Sequence, residues 1–340
     1  MTATHELAPA ADAYLDGVRA LLPGIRARAA QTERLGQLPE ETVHELEEAG
    51  VFRGLQPRQW GGLELHPTAF FESIVLLGSA CGSTGWVAGV LGVHPWEVAL
   101  LADEAQREVW AHNPNARISS SYAPTGKVRR VEGGFLLSGS WHFSSGVDLC
   151  DWALLGGTAE GEGDAEDRAF LVRRADFAVD HGSWQVAGLA GTGSKSVRLE
   201  AAFVPEYRSH RLVDVNHGEN PGWAVNDRPL YRLPWMTGVF AYAIAAPAIG
   251  AASGALECYV DQTRTRVGAF GGPPIATNPA VHRRLADALA AIETERIRLR
   301  VRWDEFYRIV SAGEAIPGES KLQCRYDAAR AISTSLHAVL

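Results

Sequence analysis

Cysteine is scarce in this 340-residue chain, and its four copies, Cys81, Cys150, Cys258 and Cys324, are too scattered to make a C-x-x-C pair. That spacing argues against a zinc site and offers no disulfide framework, so buried reduced thiols are expected. Basic runs are missing as well. Lys and Arg total 32 against 40 Asp and Glu, a formal net charge of −8, which excludes nucleic acid as an expected partner. Met1 to Pro9 lacks the basic start and apolar core of a signal peptide, and no uninterrupted apolar stretch reads as a bilayer span. A cytoplasmic protein with no membrane partner is expected. What is present is a composition 46% hydrophobic and 21% charged, ample for one large domain or two to three packed subdomains.

The chain divides into three stretches. Residues 1–115 read as a helical domain: Val18, Leu21, Leu22 and Ile25 recur at helical steps, Pro39 opens a second helix that stops at Gly50, and Pro67 to Ala80 and Thr84 to Leu101 follow. Residues 116–232 change to short β-rich runs split by glycines, with Val128 to Val131, Glu132-Gly133-Gly134 and Phe135 to Trp141 as a hairpin. A β-barrel or sandwich is expected there, with the acidic run Glu160 to Asp167 as an exposed loop. Residues 233–340 carry three long helical segments, Trp235 to Arg264, Pro279 to Ser311 and Gly318 to Leu340. They form a bundle that reads as incomplete, leaving a groove for a fourth helix.

The order helices, β-barrel, helical bundle is an α+β arrangement that resembles the acyl-CoA dehydrogenase superfamily. Trp60-Gly61-Gly62 looks like that family's turn after the second helix. Gly139-Ser140-Trp141-His142-Phe143-Ser144-Ser145-Gly146 looks like its flavin-facing β-segment. Gly188 to Ser194, followed by Phe203-Val204-Pro205, looks like the segment closing the barrel. Within the superfamily, Trp86, His94, Ser120 and Ser145 are spaced as in the reduced-flavin monooxygenases that hydroxylate phenols. The resemblance implies reduced FMN or FAD delivered by a separate NAD(P)H-dependent reductase, reaction with molecular oxygen to a C(4a)-hydroperoxide, attack by an aromatic substrate, and a homotetramer.

Such chemistry needs a site that excludes water and holds the flavin N5 proton, a task suited to hydroxyl and backbone groups on rigid strands. By this resemblance Ser145 faces N5; the bland alternative is a serine satisfying its own turn. Ser144 and Ser145 share that turn. Trp141 and Phe143 fall on one strand face by period-two alternation and are expected to wall the flavin ring, unless they are plain barrel core. Ser120 is expected on the pyrimidine side, with a solvent-facing strand position as the alternative. Trp86 and His94 lie two helical turns apart on about one face, with His94 before Pro95-Trp96 at an expected helix interruption. A flavin or substrate contact competes there with a satisfied core histidine.

Gly191-Thr192-Gly193 runs into a β-like segment rather than a helix start, which rejects the dinucleotide and P-loop fingerprints. Its amides, with Lys195 or Arg198, are left between holding a flavin phosphate and making a sharp turn. One departure from the dehydrogenases stands out. Trp235 to Tyr242 carries no acid, and the first one downstream is Glu257, so an acyl-CoA dehydrogenase lacks its base at that position. The rival readings are a dehydrogenase or oxidase, an amine N-oxygenase, or a non-catalytic flavin-binding subunit. The resemblance implies that pocket shape depends on the loops Asn216 to Arg232 and Gly268 to Pro279.

Overall fold

The structure is a computed structural model describing residues 3–160, 165–267 and 273–340, with side chains from residue 10 onward apart from 216 and 217. The expected Glu160 to Asp167 and Gly268 to Pro279 loops therefore lie in part outside the described residues.

Five helices come first: α1 (Ala3–Leu35), α2 (Glu40–Glu48), α3 (Pro67–Ala80), α4 (Gly82–Val98) and α5 (Asp103–Trp110). Pro67 sits in the first turn of α3, where its missing N–H costs nothing, and the His66 ring accepts the Thr68 N–H at 3.2 Å. Helix α4 is apolar on nearly every side and is accordingly internal. Its neighbours approach closely because glycines line the crossings. A Cβ on Gly85 would lie 2.5 Å from the Gly78 Cα on α3, a contact no side chain survives. The interruption expected at Pro95 does not occur, since α4 runs through it to Val98. Burial on all sides holds the helix across the one backbone hydrogen bond that proline removes.

Seven strands follow: β1 (Ile118–Val131), β2 (Gly134–Ser144), β3 (Trp152–Ala159), β4 (Glu166–Arg173), β5 (Phe177–Asp180), β6 (Lys195–Pro205) and β7 (Ser209–Arg211). The β1–β2 hairpin is present as expected, turning at Gly133 with φ +77°. The closed barrel is not. The strands form one sheet in the order β5-β6-β2-β1-β3-β4-β7, parallel only between β1 and β3, and its edge strands β5 and β7 do not pair with each other. At four and three residues those edges are too short to complete a ring of hydrogen bonds. One face of the sheet, with Ile118, Leu154 and Leu171, joins the helical core; the other, with Phe135, Leu137, Trp141, Leu155 and Phe170, curls around a second core.

After α6 (Leu212–His217), a π-helical turn at Trp235–Val239 leads into α7 (Phe240–Thr265), followed by α8 (Pro279–Ser311) and α9 (Gly318–Val339). Segment Trp235–Thr265 has the length and mean hydropathy, 1.6, of a membrane span, contrary to the expectation that none exists, yet 61% of its most apolar window is buried inside the fold. A core helix passes the same test. Ion pairs fasten α8 to α3 and α9 through buried carboxylates: Glu72 with Arg296 and Arg300, Asp327 with Arg298 and Arg302. Cys81, Cys150 and Cys324 are buried free thiols, whereas Cys258 is exposed.

Candidate active site

Along α4, Gly82, Trp86 and Val90 are the partly exposed positions, and His94 continues the same i, i+4 row into the interior. The helix thus lays one ridge along a cleft against the sheet. Across it stands the Ser144-Ser145-Gly146 turn at the end of β2, where Gly146 adopts φ +67°.

A hydrogen-bond chain crosses this cleft. Trp86 Nε1–H reaches Ser145 Oγ at 3.0 Å, Ser145 and Ser194 hydroxyls are 2.8 Å apart, Ser194 and Thr192 hydroxyls 2.8 Å, and Thr192 donates to the Leu189 carbonyl at 2.9 Å. The carbonyl can only accept, which forces every proton in one direction: Ser194 donates to Thr192, and Ser145 donates to Ser194. Ser145 has therefore spent its proton and one lone pair. What it can still offer a ligand is acceptance of an N–H.

Two expectations for β2 need correction. The pairing of β2 with β6 slips between Trp141 and Ser144, and Phe143 takes φ +63°, so the alternation that would put Trp141 and Phe143 on one face is broken. Trp141 is fully buried in the second core, donating to the Gly156 carbonyl at 2.7 Å, the placement of a packing residue. Phe143 is 72% exposed, with Trp184 edge-on at 6.1 Å. Phe143 is thus a solvent-facing aromatic at positive φ two residues before Ser145. Ser144 is buried and turned to Ser119 at 3.1 Å.

Gly191 and Thr192 lie in a short 3-10 turn, Ala190–Thr192, that Gly193 ends at φ +51°. The Thr192 and Gly193 amides are engaged by the Leu189 and Ala190 carbonyls, and Gly191 is wedged so that a Cβ would lie 2.4 Å from Thr32 Cγ2. Glu33 on α1 fastens this turn by accepting from the Ser83 hydroxyl and from the Ala190 N–H at 2.8 Å. Lys195 is paired with Asp148, and Arg198 stands exposed on β6.

The inner end of the cleft is an aromatic chamber. Phe240 lies 5.7 Å from the His94 ring, 5.6 Å from Tyr122 and 5.6 Å from Trp235. Neither His94 nitrogen makes a hydrogen bond of good geometry, and burial pushes its pKa down to about 4, with the Glu97 charge and a weak contact to the Ile118 backbone opposing; the ring is neutral at pH 7. Ser120 lies two residues before Tyr122 on the same face of β1 and is half-buried. Trp86, Ser145, Thr192 and Phe143 thus surround the outer cleft, and His94 the inner chamber. Sequence reasoning missed Ser194, whose only signal was its place in the Thr192-Gly193-Ser194 run, and missed Glu97, Tyr122, His210 and Phe240 altogether.

Glu257, the first acid of α7, is an outward group 2.6 Å from Arg26, with about half of its side chain in solvent. A separate groove of about 700 Å³ between α7, α8 and α9, lined by Leu256, Tyr259, Leu285, Ala288 and His337, contains none of the cleft residues. Among the described residues no cluster of His, Cys, Asp and Glu could hold a metal ion.

Residues 242–340 match the family described as Acyl-CoA dehydrogenase, C-terminal domain. The chain is 40% identical over 331 residues, covering 97% of itself and 84% of the relative, to the flavin-dependent monooxygenase oxygenase subunit HsaA of Mycobacterium tuberculosis (strain ATCC 25618 / H37Rv). It is 35% identical over 275 residues, 79% of itself and 67% of the relative, to the FADH(2)-dependent resorcinol hydroxylase oxygenase component of Rhizobium sp. (strain MTP-10005). The crystal structure of the HsaA monooxygenase from M. tuberculosis superposes with a TM-score of 0.91 at 40% identity, covering 96% of this chain and 84% of that one.

Proposed function

The chain belongs to the oxygenase components of the flavin-dependent monooxygenases built on the acyl-CoA dehydrogenase fold, and on that premise we propose that it hydroxylates a phenolic ring held in the His94–Tyr122–Phe240 chamber, using reduced flavin supplied by a separate reductase. The observation that carries this reading is the one-way hydroxyl chain ending on Ser145.

The residues present fit a reduced flavin. Its N5 carries a hydrogen, which the oxidised ring lacks, and Ser145 has a lone pair and no proton to give. Phe143 is an exposed aromatic for the ring to cover, and Trp86 fixes Ser145 from the opposite wall. When bound, reduced flavin supplies the electrons that activate oxygen. The protein's part is to hold, orient and keep dry. Ser145 holds the N5 hydrogen by accepting it, which opposes its loss with peroxide. His94, buried and neutral, lines the chamber with a polar but uncharged ring, and the aromatic walls exclude water from the reacting carbon. The dehydrogenase reading lacks support at the first turn of α7, where no carboxylate faces the cleft.

The test is rapid mixing of protein-bound reduced flavin with oxygenated buffer. Oxidised-flavin absorbance is expected to return only after a resolved lag that an aromatic substrate shortens. Immediate single-phase return, at the rate of free flavin, contradicts the reading.

A further inference from the structure

The hydroxyl chain from Ser145 ends on a peptide group that the first helix holds from behind. The Leu189 carbonyl accepts from the Thr192 hydroxyl at 2.9 Å and from the Thr192 N–H at 3.1 Å. The N–H of that same peptide, on Ala190, donates to Glu33 Oε2 at 2.8 Å. In a trans peptide the N–H and C=O point opposite ways, so whatever fixes one aims the other. Glu33 therefore aims the carbonyl that receives the chain. Its second oxygen accepts from the Ser83 hydroxyl on α4, so one carboxylate ties α1, α4 and the turn together.

Helix α1 itself has no use for an acid at this position. Glu33 lies in its last turn, where negative charge opposes the helix dipole. Leu189, in contrast, needs a restraint: it is a non-glycine residue at φ +57°, a conformation that persists only where neighbours enforce it. The turn is seated closely. A Cβ on Gly191 would stand 2.4 Å from Thr32 Cγ2 and 3.0 Å from Ser83 Cβ, so only glycine lets the turn rest on α1 and α4. The turn also grips the serine's own backbone, since Gly146 N–H donates to the Thr192 carbonyl at 2.8 Å.

We propose that Glu33 is a positioning residue of the flavin site: by holding the Ala190 N–H it keeps the Leu189 carbonyl on Thr192, which keeps Ser145 an acceptor and makes the site prefer reduced over oxidised flavin. The proposal rests on the monooxygenase reading and deepens it. With the carbonyl in place, Thr192 gives its hydrogen to Leu189 O, Ser194 gives to Thr192, and Ser145 gives to Ser194. Once the carbonyl leaves, each hydrogen can reverse. Thr192 then donates to Ser194 and Ser194 to Ser145, which leaves Ser145 a hydrogen for the cleft. A donating hydroxyl suits the bare N5 of the oxidised ring, so what Glu33 controls is the preference between redox states rather than flavin binding as such.

The experiment measures, by anaerobic ultrafiltration, the affinity of the full chain for oxidised and for dithionite-reduced FMN, and likewise for FAD, with thermal midpoints recorded alongside. Glu33→Ala is expected to lower the ratio of reduced to oxidised affinity about fivefold. Glu33→Gln should hold the ratio within about twofold, because its amide oxygen still accepts the Ala190 N–H while the Ser83 hydroxyl turns to accept from its nitrogen. Thr192→Val removes the hydroxyl that the carbonyl orients and should lower the ratio by itself. Adding Glu33→Ala to it should then lower the ratio no further, whereas a merely structural role adds a second loss to the first. If the alanine protein does not fold, Glu33→Asp, one methylene short with the charge retained, is expected to show the same fall. A wild-type ratio in folded Glu33→Ala or in Glu33→Asp, an equal fall in Glu33→Gln, or additive losses in the double variant overturns the proposal. The two readings fail separately: a high wild-type ratio untouched by Glu33→Ala removes Glu33 alone, while a wild-type ratio near one removes acceptance by Ser145 and the functional reading with it.

Discussion

Replacing Ser145 by Ala removes the terminal acceptor from the cleft while leaving its walls in place. Two internal hydrogen bonds go with it, from Trp86 Nε1 at 3.0 Å and to Ser194 at 2.8 Å, leaving the indole N–H without its partner. At about 1 kcal/mol net for each bond, the fold should lose roughly 2 kcal/mol, which a chain of this size withstands. The functional loss is separate. A buried hydrogen bond to flavin N5 is worth about 1 to 3 kcal/mol, so peroxide release should accelerate roughly fivefold to a hundredfold relative to product formation. The assay is hydrogen peroxide formed per reduced flavin consumed, at saturating aromatic substrate. Trp86→Phe is the internal control: it leaves Ser145 as an acceptor with one more free lone pair, so coupling should fall less. If Ser145→Ala stays folded with coupling unchanged, the direction of the hydroxyl chain has no bearing on the reaction.

His94 provides a stability prediction with a definite sign. Its pKa is lowered by burial from 6.5 to about 4, so as pH falls between those values the unfolded chain takes up a proton that the folded chain refuses. Stability from this group is full above about pH 6.5 and declines toward pH 4, by on the order of 3 kcal/mol in all. In His94→Phe that portion of the slope should vanish in urea midpoints measured across the window; a slope identical to wild type would mean His94 is not buried neutral. The same residue replaced by Ala should impair hydroxylation with flavin affinity nearly normal, as titrated by flavin fluorescence. Trp141→Ala should cost about 3 to 5 kcal/mol of stability, as a large core truncation does, while the folded fraction keeps its flavin affinity. A selective loss of flavin binding in that variant would return Trp141 to the cleft wall.

Much of the architecture was legible because hydrophobic period and turn chemistry agree over long segments. Helix α3 was bounded by Pro67 and Ala80 as its period and proline indicated, and the Gly133 turn announced the first hairpin. Sheet closure was not legible, because it depends on whether the short ends β5 and β7 meet, a property of curvature that no local pattern encodes. The shared strand face expected for Trp141 and Phe143 failed for a local reason: one slip in register reverses which face a side chain takes, and a non-glycine residue at positive φ is invisible in sequence. Ser145 and Trp86 did meet, since a strand end and a helix face are robust placements. Glu97, Tyr122 and His210 lie far apart in the chain and on three elements, so only the assembled fold reveals that a lone buried acid has found two partners.

The central claim is that oxygen from O2 is inserted into a hydroxylated ring inside this cleft. The most direct measurement supplies the protein with reduced flavin, a panel of phenols and 18O-labelled dioxygen, and reads the products by mass spectrometry. One labelled oxygen atom in each molecule of dihydroxylated product is the expected result. Labelled peroxide alone, with every phenol recovered unchanged while an acyl-CoA bleaches the protein's oxidised flavin under anaerobic conditions, would contradict it.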